Sequence, residues 1–260
     1  MKQLTISQIK AQLAEIEMLD DPFFDSLIED PRKGVQTAIK SRKRQIQKQL
    51  DLVEAHHQKL NYERQLKTQG IQYIAGLDEV GRGPLAGPVV AASVVLPDNC
   101  DALLGVNDSK QLSHEQRMIF AELIKEVALD YGYGVVEARE IDEANIYQAT
   151  KMAMERSISQ LKFKPDYLLI DAMELQNGIP QQSIIKGDAN SLSIAAASIL
   201  AKVFRDQVMM DYHDLYPEYG FNSNMGYGTK QHLEALETFG YLPIHRQSFK
   251  PVPDMQARKI

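Results

Sequence analysis

Residues 73–97 read YIAGLDEVGRGPLAGPVVAASVVLP. Two apolar runs, Tyr73 to Leu77 and Gly87 to Leu96, flank a centre of glycines and prolines. Apolar runs separated by turn residues read as adjacent antiparallel strands. Two carboxylates, Asp78 and Glu79, end the first run. Successive strand side chains point to opposite faces. The two acids therefore converge on one ion only if the chain bends there, which the nearby glycines permit. Gly81 and Gly83 let backbone approach a ligand closely, and exposed N–H groups cradle phosphate oxygens. Taken alone, the stretch also reads as a tight hairpin turn with solvated acids.

Downstream the β pattern continues. Tyr131 to Val136 is a third strand candidate, and a helical stretch runs from about Glu140 to Leu161. Tyr167-Leu168-Leu169-Ile170-Asp171 is a buried-type strand ending in an acid, and Gln182 to Ile185 is another strand. Leu192 to Leu215 is a long Ala-rich helix, and Thr229 to Phe239 a further one. Early strands followed by β/α alternation predict an α/β fold, a mixed sheet flanked by helices.

Upstream of Gly70 the pattern is helical. Thr5 and Gln8 have capping-box spacing, with Ile9, Leu13 and Ile16 behind them. Asp20 to Pro31 is a turn-rich break, and Asp30-Pro31 suits the start of a second helix. Its apolar stripe of Val35, Ile39, Ile46, Leu50, Val53 and Leu60 leads toward Gly70, so two helices pack as a hairpin-like extension. The expected division is 1–70 for this extension and 71–260 for the main domain.

A chain of 260 residues with 44% hydrophobic and 25% charged residues has the profile of a soluble globular protein. Its single cysteine, Cys100, excludes a disulfide scaffold and fits the reducing cytoplasm. No apolar run approaches the roughly 20 residues of a membrane helix. The net charge of -6 hides an asymmetry. Residues 1–70 hold 12 Lys+Arg against 10 Asp+Glu, and residues 71–260 hold 17 against 25. An acidic body repels phosphates unless its carboxylates hold cations. Arg32 to Leu50 carries Arg32, Lys33, Lys40, Arg42, Lys43, Arg44 and Lys48 with no acid. That run is either a solvated helix face or a phosphate-binding surface.

Two more acids stand where sites gather. Asp171 ends an apolar strand, and Asp188 lies in Lys186-Gly187-Asp188-Ala189-Asn190-Ser191 before the Ala-rich helix. Each alone also reads as a cap. With Asp78 and Glu79 they form an all-oxygen set, without cysteine or histidine spacing, that prefers Mg²⁺ or Mn²⁺ to zinc. Two such ions about 4 Å apart suit an in-line phosphoryl displacement.

With these residues in view, the chain resembles the type 2 ribonuclease H family. The resemblance runs from YIAGLDEVGRGPLAGPVVAASVVLP through NDSKQL (107–112), YLLIDA, KGDANSLSIAAASILAKVFRD, GYGTKQHLEAL and LPIHRQSF, about residues 72 to 250. Arg82 between two glycines separates it from type 3 enzymes. The resemblance implies a ribonuclease H-like fold with a five-stranded mixed sheet. It implies hydrolysis of the RNA strand of RNA/DNA hybrids. It also implies cutting 5′ of single ribonucleotides in duplex DNA, leaving 3′-hydroxyl and 5′-phosphate ends, and hence ribonucleotide removal from DNA. The family's catalytic acids and metal ligands fall on Asp78, Glu79, Asp171 and Asp188, with two ions when substrate is bound. Gly81-Arg82-Gly83 would read the ribose 2′-OH, and Tyr227 would stack on the sugar across the RNA-to-DNA junction. Lys110, read from the DSK stretch itself, is either a phosphate contact or a surface lysine. The protein is expected to act as a monomer, away from membranes.

Other readings stay in view. Another nuclease or integrase of the same fold needs similar acids but no arginine between glycines. A non-catalytic nucleic-acid-binding protein would lack one of the four acids. Lys202, Arg205, Ser198, His245 and Arg246 have structural readings in ion pairs or core. Gln49-Leu50-Asp51-Leu52-Val53 resembles a sliding-clamp peptide, but it lacks the aromatic and sits in a predicted helix.

Overall fold

Strand β1 runs Ile74–Val80, straight through Asp78 and Glu79. Strand β2 (Val89–Val95) pairs with it antiparallel, so the glycine-rich turn joins neighbours as expected. β3 (Asp130–Val136) pairs antiparallel with β2, while β4 (Tyr167–Asp171) and β5 (Gln181–Ile184) add in parallel beside β1. The result is a five-stranded mixed sheet of order β3-β2-β1-β4-β5. The computed structural model describes residues 4–258. Among them no helix is long and apolar enough to cross a membrane.

Eleven helices are described: α1 (Ile6–Ala14), α2 (Pro22–Ser26), α3 (Lys33–Lys59), α4 (Asn61–Thr68), α5 (His114–Val127), α6 (Ala138–Ala144), α7 (Ile146–Ser159), α8 (Gly187–Asn190), α9 (Leu192–Leu215), α10 (Phe221–Asn224) and α11 (Lys230–Phe239). Two compact units emerge, Met1–His57 and Gln58–Ile260.

In the first unit, Thr5 and Gln8 form the expected capping box of α1. The break after it contains the short helix α2, capped by Asp21 with Pro22 at its start. Asp30 accepts from the Arg32 N–H, and regular helix begins only at Lys33. Ile9, Leu13, Ile16, Phe24, Leu27, Val35, Ile39 and Ile46 form the unit's core. Leu50 is exposed, and beyond it the stripe continues with half-buried Val53 and buried His56.

In the second unit, strand alternation sorts the core into two layers. Val90, Ala92 and Val94 pack with α9 and α5. Val89, Ala91 and Val95 pack on the other face with α6 and α7. Ala195, Ala196, Ala197 and Ala201 of α9 are fully buried. Their small size lets the helix sit close to the sheet. A larger residue there would force the layers apart at about 1–3 kcal/mol each. The closest approach is at Gly76, where a Cβ would overlap the Ser193 backbone.

The expected single helix from Glu140 to Leu161 is two helices. Asn145, at φ 68°, breaks the chain and caps α7 through the Tyr147 and Gln148 N–H groups. Helix α5 carries its own capping box, Ser113 with Gln116, a signal present in the sequence and not read there.

Candidate active site

Register brings the acids together. The last paired rung of β1 and β4 is Leu77 with Ile170, so Asp78 and Asp171 follow side by side. Both have the parity of the α9 face, like Gly76 against Ser193 and Leu169 against Ile194. Asp188 arrives on the same face from α8, where the Gly187 N–H donates to Asp171 Oδ1 at 2.7 Å. One carboxylate oxygen of each of Asp78, Asp171 and Asp188 lies within 4.8 Å of the others.

Glu79 lies beside this trio but outside it, close enough to feel the Asp171 charge, because β1 does not bend to align it with Asp78. β1 stays paired with β2 through both acids, Asp78 with Ala92 and Glu79 with Ala91. Glu79 thus has the parity of Ala75 and Leu77, which pack on the α7 side. Its Oε1 lies 3.6 Å from Arg82 Nη1, and its Oε2 is buried without a hydrogen-bond partner.

Crowding shows in the electrostatics. Burial, then the Glu79 charge, pushes the Asp78 carboxyl well above the usual range, with Ser198 opposing and Asp171 adding. Burial also raises Glu79, opposed by Arg82. Asp188 is raised by burial and by Asp108 and Asp171, while Lys110 opposes. Burial works against the Lys110 charge, but Asp108, Asp188, Asp78 and Asp171 outweigh it and raise its pKa. These buried, mutually repelling carboxylates offer only oxygen donors. The set fits a hard divalent cation such as Mg²⁺ or Mn²⁺, whose charge would relieve the repulsion.

A stability prediction follows. The raised folded pKa of Asp78 contributes stability below its unfolded value of about 4, and that contribution is lost as pH rises through the folded pKa. At neutral pH, keeping the Asp78 carboxyl in this buried, acid-crowded place therefore costs the metal-free fold stability. Asp78→Asn should raise the metal-free melting temperature at pH 7.5, because the amide carries no charge into the buried, acid-crowded place. The gap should close toward pH 4. Melting curves in chelator across pH check this, and a variant no more stable than wild type at pH 7.5 refutes it.

The glycine loop beside the acids is held from within by two buried arginines. Arg246 donates from Nη2 to Gly81 O (2.5 Å) and Gly87 O (2.8 Å), from Nε to Gly87 O (3.0 Å) and from Nη1 to Arg82 O (3.0 Å). Burial and the neighbouring Arg205 charge lower its pKa to about 9, which leaves it cationic at neutral pH. Arg205 donates to the carbonyls of Pro88, Met225 and Ala86. Gly81 has φ 92°, and a Cβ there would overlap Arg205 Nε. In a trans peptide the N–H points away from the C=O. With the Gly81 and Arg82 carbonyls turned in to Arg246, the N–H groups of Arg82 and Gly83 turn outward.

Tyr227 is 46% exposed, and a Cβ on Gly83 would touch its ring at 3.5 Å. Its loop docks on the glycine loop through Leu85 and Ala86 N–H bonds to Gly226 O. Behind it lies a buried histidine pair. Leu242 N–H donates to His245 Nδ1 (2.9 Å), so His245 carries its proton on Nε2, facing His232 Nε2 at 3.0 Å. His232 then donates from Nδ1 to Tyr227 O (2.9 Å). Burial lowers both histidines, His245 to about 3, so both are neutral at pH 7.

The structure thus brings Asp78, Asp171, Asp188 and Lys110 to one place, with Glu79 and Arg82 beside them. Gly81, Gly83 and Tyr227 form an adjoining face. Sequence reasoning missed Asp108 as a neighbour of Asp188, and the clamping roles of Arg205 and Arg246. Neither arginine had a local signal, since Arg205 stands among other charges in AKVFRD and Arg246 follows His245 in LPIHR.

Two family descriptions match the chain, Ribonuclease HII over residues 75–252 and Ribonuclease HII N-terminal domain over residues 5–67. A protein of Bacillus cytotoxicus described as Ribonuclease HII is 50% identical over 260 residues, the full length of both chains. The crystal structure of the ribonuclease H2 from Pyrococcus horikoshii OT3 matches with a TM-score of 0.62 and 28% identity, covering 70% of this chain and 96% of that one. The structure of the PCNA:RNase HII complex from Archaeoglobus fulgidus matches with a TM-score of 0.59 and 26% identity, covering 69% and 96%.

Proposed function

Because this chain belongs to the ribonuclease HII family, we propose that Asp78, Glu79, Asp171 and Asp188 hold its divalent cations and that Gly81-Arg82-Gly83, Lys110 and Tyr227 read its substrate. The protein is an endoribonuclease, a phosphodiester hydrolase acting on RNA paired with DNA. The observation that carries the site is the meeting of three carboxylates, from β1, β4 and α8, beside a loop whose N–H groups face outward. A bound divalent cation supplies an activated water and charge stabilisation at the departing oxygen.

The chain's own residues do the rest. The outward N–H groups of Arg82 and Gly83 donate to the ribose 2′-OH, the group that distinguishes RNA from DNA at one sugar. Lys110, next to the acids, takes a phosphate oxygen. Tyr227 stacks on the deoxyribose that follows the ribonucleotide, so the cut falls 5′ of a single ribonucleotide, leaving 3′-hydroxyl and 5′-phosphate ends. Residues 71–260 form the catalytic domain in this reading.

The test is cleavage of a DNA duplex carrying one ribonucleotide, with and without Mg²⁺ or Mn²⁺, alongside a uniform hybrid. Tyr227→Ala should lower kcat/KM on the single-ribonucleotide duplex about tenfold to a hundredfold, the worth of one stacked ring. Tyr227→Phe should keep most of the rate. Equal losses on both substrates, or none on the first, would remove the junction-reading role.

Residues 1–70 are proposed to aid substrate binding. The basic run of α3 divides in two. Arg32 pairs with Asp30, Arg42 donates to Ile16 O, and Lys43 lies over the Phe24 ring, all inside the first unit. Lys33, Lys40, Arg44 and Lys48 are exposed at spacings of 7, 4 and 4, one face of the helix. Replacing these four by Gln should raise KM for duplex and flatten the log K against log salt slope by up to about three. An unchanged salt slope leaves them a solvated face.

The Archaeoglobus fulgidus relative is seen with PCNA. Gln49 to Val53, the stretch that resembles a clamp peptide, lies inside α3, where no extended peptide is available.

A further inference from the structure

Lys59 and Glu63 lie within the residues matched by the N-terminal family description, yet both belong to the second compact unit. Glu63, on α4, is only 8% exposed. Its Oε1 accepts from Ser191 Oγ (2.7 Å), Ser193 Oγ (2.7 Å) and the Ser193 N–H (3.0 Å). The carboxylate therefore sits on the first turn of α9, where N–H groups lack helical partners and the helix dipole favours negative charge.

That first turn is also the edge of the metal site. Ser191 caps α9 through the Ile194 N–H, and its own N–H donates to Gly187 O, closing the turn that carries Asp188. Ser193 lies against Gly76, two residues before Asp78. Further along α9, Ser198 meets Ser109 at 3.0 Å and helps hold down the pKa of Asp78. Lys59 makes a matching contact on the other side. It donates to Val106 O (3.0 Å) and Asn107 Oδ1 (2.6 Å), just before Asp108 and Lys110.

We propose that Glu63 is a positioning residue of the metal centre, fixing Asp188 through Ser191 and Ser193, with Lys59 steadying the neighbouring 107–110 turn. The proposal rests on the reading of Asp188 as a metal ligand. Residues that orient ligands from behind control metal affinity without touching the metal.

The test is Mn²⁺ titration calorimetry on metal-free, full-length protein at 25 °C, with kcat and KM measured in parallel. Glu63→Ala should weaken Mn²⁺ binding about tenfold or more and lower kcat, with KM for duplex unchanged. Glu63→Gln retains an acceptor for the same three donors and should restore affinity to within about threefold of wild type. A folded Glu63→Ala protein with wild-type affinity overturns the proposal. Should Glu63→Ala not fold, Ser193→Ala decides. It removes one of the three donors, and it should weaken Mn²⁺ binding measurably, whereas wild-type affinity overturns the proposal. Asp188→Asn serves as the control. If it keeps wild-type affinity, the ligand reading itself fails. If it loses affinity while Glu63→Ala does not, only the positioning role fails.

Discussion

Asp171→Asn is expected to lower kcat at saturating Mg²⁺ by roughly a thousandfold or more, about 4 kcal/mol of lost transition-state stabilisation. The substitution keeps shape and leaves Oδ1 free to accept the Gly187 N–H, so β4 and the Asp188 turn stay joined. What it removes is one negative charge and one anionic oxygen from a cluster spanning under 5 Å. Affinity for the duplex should change little, because the outward N–H groups and Tyr227 are untouched. Steady-state kinetics, with circular dichroism to confirm folding, check the result. Near wild-type turnover would place the chemistry elsewhere.

Arg246→Met should have the largest effect on stability. The side chain is fully buried and makes four hydrogen bonds to three carbonyls, those of Gly81, Arg82 and Gly87. Methionine fills much of the volume and supplies no donor, leaving buried acceptors unpaired. Losses of this kind cost about 3–5 kcal/mol, or roughly 10 °C in a chain of this size. Freed carbonyls also let the Arg82 and Gly83 peptides rotate, so KM for the duplex should rise in protein kept below its melting point. Arg246→Lys, which keeps the charge but loses the planar fork, should fall between the two. A melting temperature and KM both near wild type would show that the loop holds its shape without this clamp.

The two predictions touch the site at different levels of legibility. Asp171 was readable because an acid ending an apolar strand is conspicuous against Leu168, Leu169 and Ile170. Arg246 was not, because a guanidinium that satisfies carbonyls more than 150 positions earlier leaves no local pattern. The same holds for Arg205, whose carbonyl partners on Pro88 and Ala86 lie 117 and 119 positions earlier. Nothing near Glu63 in the sequence marks its role, and only the meeting of α4 with α9 gives it three donors.

By itself the sequence determined the local elements and the chemistry on offer. Capping residues set α1, and apolar runs set the strands. Glycines marked the loop, and an all-oxygen acid set pointed to a hard cation. Tertiary structure decided which of those acids share a face. Parallel pairing with Leu77 opposite Ile170 sets Asp78 beside Asp171, and alternation along an unbroken β1 leaves Glu79 at the edge of the group and not within it. It also decided that Leu50 of the apolar stripe stays exposed and that Lys33, Lys40 and Lys48 face solvent. The physical reason is common to all of these. Propensity and periodicity act over a few residues and are written in neighbouring side chains. Register, helix seating and buried hydrogen-bond partners are settled only when distant segments exclude water together, and many sequences satisfy that condition without any local mark of it.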